Sequence, residues 1–102
     1  MGVPQFTTPE FTLTFPDIEF DLTEMRGIYV TFRSHGRTIT KTGDDLTVTA
    51  DSITLTLNQI DTAMLHGMVE IQVNWVDGAG RRIASEIETV EITDQLLKRV
   101  VT

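Results

Sequence analysis

Few side chains in this sequence could do chemistry, and their spacing sets none of them to work. His35 and His66 each stand beside a glycine in a stretch that reads as a turn. Two imidazoles ligate a metal only where the fold brings them together, and nothing in the pattern asks for that. Ser34-His35 and Ser85-Glu86 hold nucleophile and base types side by side. There is, however, no G-x-S-x-G elbow and no spacing that aims a hydroxyl at a base. Asp17, Glu19, Asp21 and Glu24 form the densest run of carboxylates, an oxygen set of the kind calcium takes. At ~3.3 Å per residue an extended chain strings Asp17 to Asp21 over roughly 13 Å, too far for one ion. They read as a solvated edge, and Asp44-Asp45 and Asp77-Gly78 read as turn residues. With no cysteine, thiolate nucleophiles and Cys-ligated metals are excluded. The expectation is therefore no catalytic residue, no cofactor, no metal ligand, and a protein that is not an enzyme.

The elements that would carry any site are strands. From Met68 onward Val69, Ile71, Val73 and Trp75 are apolar at every second position, with Glu70, Gln72 and Asn74 between them. That is the period of a half-buried strand. Asp77-Gly78-Ala79-Gly80 turns the chain, and Ile83 to Ile92 returns as the second arm of a hairpin. Ile83 and Ile87 share one parity while Val90 and Ile92 have the other, which calls for a bulge near Glu88 and Thr89. Trp75, the only tryptophan, is expected at the centre of the core.

Earlier in the chain the same alternation recurs. Residues 1–9, with Pro4 and Pro9, read as an extended, mobile arm or a frayed end, and Phe11, Leu13 and Phe15 mark a first strand closed by Pro16. Ile18, Phe20 and Leu22 continue as a strand or an extended connection, and residues 22–27 as one helical turn stopped by Gly27. Ile28, Val30 and Phe32 lead through Ser34-His35-Gly36-Arg37 into Thr38–Thr42 as a second hairpin. Two short strands follow, around Leu46–Ala50 and Ile53–Leu57. Asn58 then caps a short helix over residues 59–65, with Ile60 and Met64 expected against the core. Asp94 caps a short amphipathic helical tail over 94–102 that includes Leu96, Leu97, Lys98, Arg99, Val100 and Val101. About seven strands, 17 threonines and no long helix point to an all-β, antiparallel β-sandwich with one short connecting helix.

Length and charge bound the rest. At 102 residues the chain reads as a single domain, 1–102, able to bury about 60–70% of its unfolded surface. No apolar run approaches the roughly 20 residues of a membrane span. The opening residues lack a basic, apolar-cored leader, so the expectation is a product made in the cytoplasm. Eight basic against 15 acidic residues leave a net charge of −7, which repels nucleic-acid phosphate and anionic lipid. Arg81-Arg82, Arg33, Arg37 and Lys41 read as partners for those acids rather than as a nucleic-acid patch.

Asp21 to Arg26, Tyr29 to Phe32, Thr40 to Gly43, Val69 to Trp75 and Gly80 to Glu86, taken in that order, resemble the small immunoglobulin-like β-sandwich proteins of phages and prophages. The pattern is similar to the N-terminal domain of phage baseplate upper proteins, over about Phe11 to Leu97. The resemblance implies a non-enzymatic structural or accessory module that acts through protein contacts, on the tail or baseplate, and that is assembled into a virion. Other phage tail proteins or a second copy would be its partners, with no nucleic acid and no membrane. A stand-alone carbohydrate- or protein-binding sandwich is the alternative. Phe6, Phe11, Phe15 and Phe20 near one end and Leu96 to Val101 near the other are the segments expected to self-associate or dock.

Because no ligand set converges in sequence, thermal melts with calcium, zinc or EDTA are expected to superimpose. A metal bound at 100 times its dissociation constant would add about 2.7 kcal/mol, a shift that differential scanning fluorimetry would register.

Overall fold

The computed structural model describes residues 2–15, 18–93 and 96. Two sheets enclose one core. The larger has the order β1 (Val3–Pro4), β9 (Glu88–Thr93), β7 (Gly67–Val76), β3 (Gly27–Ser34) and β4 (Arg37–Thr42), with β8 (Arg82–Ala84) also on β7. The smaller has the order β2 (Glu10–Thr14), β6 (Ser52–Thr56) and β5 (Leu46–Val48). The chain is thus all-β and sandwich-like, with one short helix, α1 (Gln59–Met64), between β6 and β7. Among the described residues no helix is long and apolar enough to cross a membrane.

Period-2 patterning explains the centre. Ile28, Val30 and Phe32 of β3 stand opposite Trp75, Val73 and Ile71 of β7, so one face of this antiparallel pair is a block of six buried side chains. Ile53 and Leu55 of β6 are buried beneath them in the second sheet, with Phe11 and Leu13 of β2 half-buried beside them. Trp75 is only 4% exposed, and the rings of Phe15 and Phe20 pack on it at 5.6 and 5.7 Å. Threonines fill the outward positions, where Thr12 meets Thr54 and Thr31 meets Thr40 across strands at 3.1 and 3.3 Å. The β3–β4 hairpin turns on His35 and Gly36, with φ of 46° and 79°, the left-handed pair that a two-residue loop between twisted strands requires.

Three expectations change. The strands number nine among the described residues, because β1 adds to the sheet and the final run divides into β8 and β9. Residues 3–9 run across one side of the sandwich. Val3 pairs in parallel with Ile92, the Gln5 amide donates to the Thr93 carbonyl, its side chain donates to the carbonyls of Ala63 and Leu65, and the Leu57 amide donates to the Pro9 carbonyl. Residues 18–21 form a connection rather than a strand, and Leu22–Glu24 is the expected single turn, capped by Asp21. The helical tail expected over 94–102 lies outside the described residues, except for Leu96, which is fully exposed.

The third change concerns α1. Its Asn58 cap forms a capping box with Asp61, but Ile60 is 60% and Met64 38% exposed, so neither is tucked into the core. Thr62 and Leu65 are buried instead. Two polar contacts set this rotation. The Thr62 hydroxyl donates to the Thr7 carbonyl (2.9 Å) and accepts from the Thr7 amide (3.1 Å), while Asp61 pairs with half-buried Lys41 of β4 at 2.8 Å. Hydrogen-bonding the arm outweighs burying Ile60, because an unpaired buried amide costs about 1–3 kcal/mol.

Urea unfolding distinguishes the two orientations of α1. Ile60→Ala is expected to change stability by less than about 0.5 kcal/mol, whereas Thr62→Ala, which leaves the Thr7 amide without its acceptor, is expected to cost about 1–3 kcal/mol.

Candidate functional site

One concavity arises from a one-residue slip along β7. β8 pairs with Asn74↔Ala84 and Trp75↔Ile83, whereas β9 pairs with Ile71↔Glu88 and Val69↔Val90, so the partner strand gains one residue between the two registers. This is the parity change visible in the sequence, and it falls at Ser85–Ile87, a few positions before the Glu88–Thr89 expected for a bulge. Ser85 bridges the break. Its amide donates to the Val73 carbonyl (2.8 Å), its hydroxyl accepts from the Val73 amide (3.0 Å), and its carbonyl accepts from the Gln72 side chain (3.0 Å). A side-chain oxygen thus takes the ladder position that a strand carbonyl would fill.

Beyond that break the sheets part, leaving a cleft of about 600 Å³ between β2 and the β8–β9 junction. Phe11, Leu13 and Phe15 supply one wall, Ile71, Val73 and Trp75 the floor, and Ser85, Glu86, Glu88 and Thr89 the polar rim. Among the described residues β2 ends its sheet, and no strand pairs with its second edge. The Phe15 amide donates to the Asp51 carbonyl and the Pro9 carbonyl accepts from the Leu57 amide, which sets the backbone groups of the odd-numbered residues toward β6. The amides and carbonyls of Glu10, Thr12 and Thr14 therefore face the open edge. Trp75 adds a second unfilled valence, since its buried Nε1–H has no acceptor among the described residues.

The residues singled out for chemistry lie elsewhere or are engaged. Ser34 is buried, and its hydroxyl exchanges hydrogen bonds with the backbone of His66, donating to the carbonyl and accepting from the amide, both at 3.1 Å. The Ser85 hydroxyl holds Val73 and donates to the Glu86 carbonyl at 2.9 Å, so neither serine faces a base. His35 and His66, read separately in sequence, do come together with ring centroids 6.0 Å apart, because the β3–β7 register brings the β3–β4 turn beside the start of β7. Among the described residues no group of three or more His, Asp or Glu is placed to hold a metal. Asp21 caps its turn, and the Thr23 hydroxyl and amide that it accepts from hold its carboxyl below the usual range. Glu19 and Glu24 are exposed, and Asp17 lies outside the described residues. Asp77 anchors the β7–β8 turn by accepting from the amides of Arg81 and Ala79 and from the Arg81 guanidinium, and the Arg81 amide is the largest cause of its lowered pKa.

Arg33 pairs with Glu70 at 2.7 Å and Arg81 with Asp77 at 3.0 Å, which together with Lys41–Asp61 sets these cations against local acids. A smaller depression of about 390 Å³ lies on the outer face of the large sheet, where half-exposed Tyr29 neighbours Thr31, Thr40, Asn74 and Arg82. The sequence marks Phe11, Leu13 and Phe15 as a strand, with Phe11 and Phe15 in a segment expected to dock, but does not locate an opening beside them. The signal that they border an opening is the parity flip in the facing strand, which also sets exposed Glu88 opposite Ile71 at the rim. Comparison with protein-family models, curated proteins and solved structures returned no match.

Ser85→Ala keeps the chain path but removes the acceptor of the Val73 amide. It is expected to cost about 1–3 kcal/mol in chemical denaturation, with faster hydrogen exchange at Val73 than in the parent protein.

Proposed function

We propose that the chain is a non-enzymatic, immunoglobulin-like module of a phage or prophage, structural or accessory in role, that works by binding protein at the β2 cleft. One observation carries the binding reading: the cleft is an apolar slot bordered by a strand edge whose backbone donors and acceptors have no strand partner among the described residues. Such an edge takes an extended peptide as an added strand, with main-chain hydrogen bonds giving affinity and the apolar floor selecting side chains. Catalysis would need convergent polar groups, and the slot offers Glu86 and Glu88 on its rim without a nucleophile set against a base.

Strand order supports the immunoglobulin-like reading. A three-stranded sheet of β2, β6 and β5 faces a sheet in which the first strand runs parallel to the last and β9, β7, β3 and β4 follow in sequence. That matches the B, E, D and the G, F, C, C′ strands of the immunoglobulin sandwich. The phage setting rests on the resemblance of Asp21 to Arg26, Tyr29 to Phe32, Thr40 to Gly43, Val69 to Trp75 and Gly80 to Glu86 to baseplate-type domains, and tail or baseplate proteins are the partner class it implies. The outer-face depression around Tyr29 favours a second reading as a carbohydrate-binding module, since an exposed aromatic ring ringed by hydroxyl and amide groups suits a sugar face.

Arrays separate the two readings. Binding to extended, apolar members of a random peptide array, abolished by Phe11→Lys, is the expected result; binding to a glycan array, abolished by Tyr29→Ala, would overturn the protein-binding reading in favour of the second. Flanking tail, holin or lysin genes are expected at the locus, and a setting among metabolic genes would overturn the phage assignment.

A further inference from the structure

We infer that the occupant of the β2 cleft is residues 96–102 of a second copy of this chain, laid along β2 as an added strand and reciprocated by the partner. This inference rests on the protein-binding reading of the cleft and names the ligand. Charge selects it first. The rim carries Glu86 and Glu88, Glu10 sits on β2 itself, and the whole chain bears −7, so a second copy is repelled unless it presents a basic segment. Leu96-Leu97-Lys98-Arg99-Val100-Val101-Thr102 is such a segment: its two adjacent cations are flanked on both sides by aliphatic residues. In an extended strand each of its faces reads aliphatic, basic, aliphatic, which suits a slot with an apolar floor and an acidic lip.

Size and path agree. At ~3.3 Å per residue, the five residues of β2 are matched by five of those seven. Val100, Val101 and Thr102 are β-branched, the type that a pleated surface favours. The route within one molecule is obstructed. β9 lines the cleft from Glu88 to Val90 and ends beyond it at Thr93, and at that far end residues 3–9 cross from β9 past α1 to the end of β6 through the Gln5–Thr93, Thr7–Thr62 and Pro9–Leu57 hydrogen bonds. A segment leaving Thr93 would have to double back around this arm to reach its own β2 edge, whereas a second copy meets the edge from outside. Leu96, fully exposed in the single chain, would be covered in the pair. A twofold exchange of this kind closes on itself, because each copy offers one segment and one edge.

Charge reversal in full-length chains tests this. The parent protein is expected to show a concentration-dependent rise to dimer mass in light scattering and sedimentation equilibrium, with slowed amide exchange at Thr12 and Thr14. The K98E/R99E chain and the E86K/E88K chain, each substituted at surface charges and each checked for a parent-like melt, are expected to self-associate at least about tenfold more weakly, since like charges then oppose one another. Mixing the two is expected to restore a one-to-one dimer. A parent that stays monomeric, variants that dimerise as well as the parent, or a mixture that stays monomeric would each overturn the inference. If self-association fails while the peptide array still gives Phe11-dependent binding, the cleft keeps its role and only the occupant is wrong. If the array is also silent, the protein-binding reading falls with it.

Discussion

Every part of this domain depends on β7 having partners along both edges while burying one whole face. A ten-residue strand with Val69, Ile71, Val73 and Trp75 on its inner side must saturate its outward-directed backbone groups on either flank, since buried amides without partners cost about 1–3 kcal/mol each. β3 meets that demand on one side with seven paired positions, Gly27↔Val76 to Arg33↔Glu70. On the other side no continuous strand does so, and the chain solves the problem in two segments joined by the Ser85 hydroxyl. The central strand stays satisfied, and the cleft appears at the seam where its neighbour changes register.

The polar contacts follow the same logic of closing gaps with few atoms. α1 spans the end of the sandwich, and its rotation answers to the Thr7–Thr62 exchange and the Lys41–Asp61 pair more than to the apolar area of Ile60 or Met64. Asp77 does for the β7–β8 turn what Ser85 does for the strand junction, gathering two amides and a guanidinium on one carboxylate. Both devices use a short side chain to mimic a missing backbone acceptor. The Trp75 Nε1–H has no such device among the described residues, and it sits where the two sheets begin to separate.

Much of the architecture was readable from alternation alone, because each inner strand face is a run of apolar side chains at every second residue: Ile28, Val30, Phe32 in β3 and Val69 to Trp75 in β7. The His35-Gly36 hairpin and the Asn58 cap were equally legible, since left-handed backbone and an N-cap acceptor are local demands that few residue types meet. What escaped was whatever depends on distant partners. The burial of Thr62 rather than Ile60 is decided by Thr7, and the meeting of His35 with His66 by strand register. The opening beside Phe11 and Phe15 was half legible: a parity change between Ile87 and Val90 demands an extra residue, but no local rule says that the sheet opposite will part there. The candidate site is thus a product of two strands that are remote in sequence, neither of which carries its signature alone.

The parallel pairing of β1 with β9 joins Val3 to Ile92, and this has a bearing on the order in which the nascent chain acquires structure. Hairpins such as β3–β4 close between near neighbours in sequence, but β1 must wait for β9 before it has an edge to join. Until then Gln5 has no Thr93 carbonyl to donate to, and the arm that crosses to α1 and β6 is anchored only at its later end. Completion of the larger sheet therefore waits on a pairing between the two strands of it most distant in sequence among the described residues, the kind of closure that comes slowest in folding.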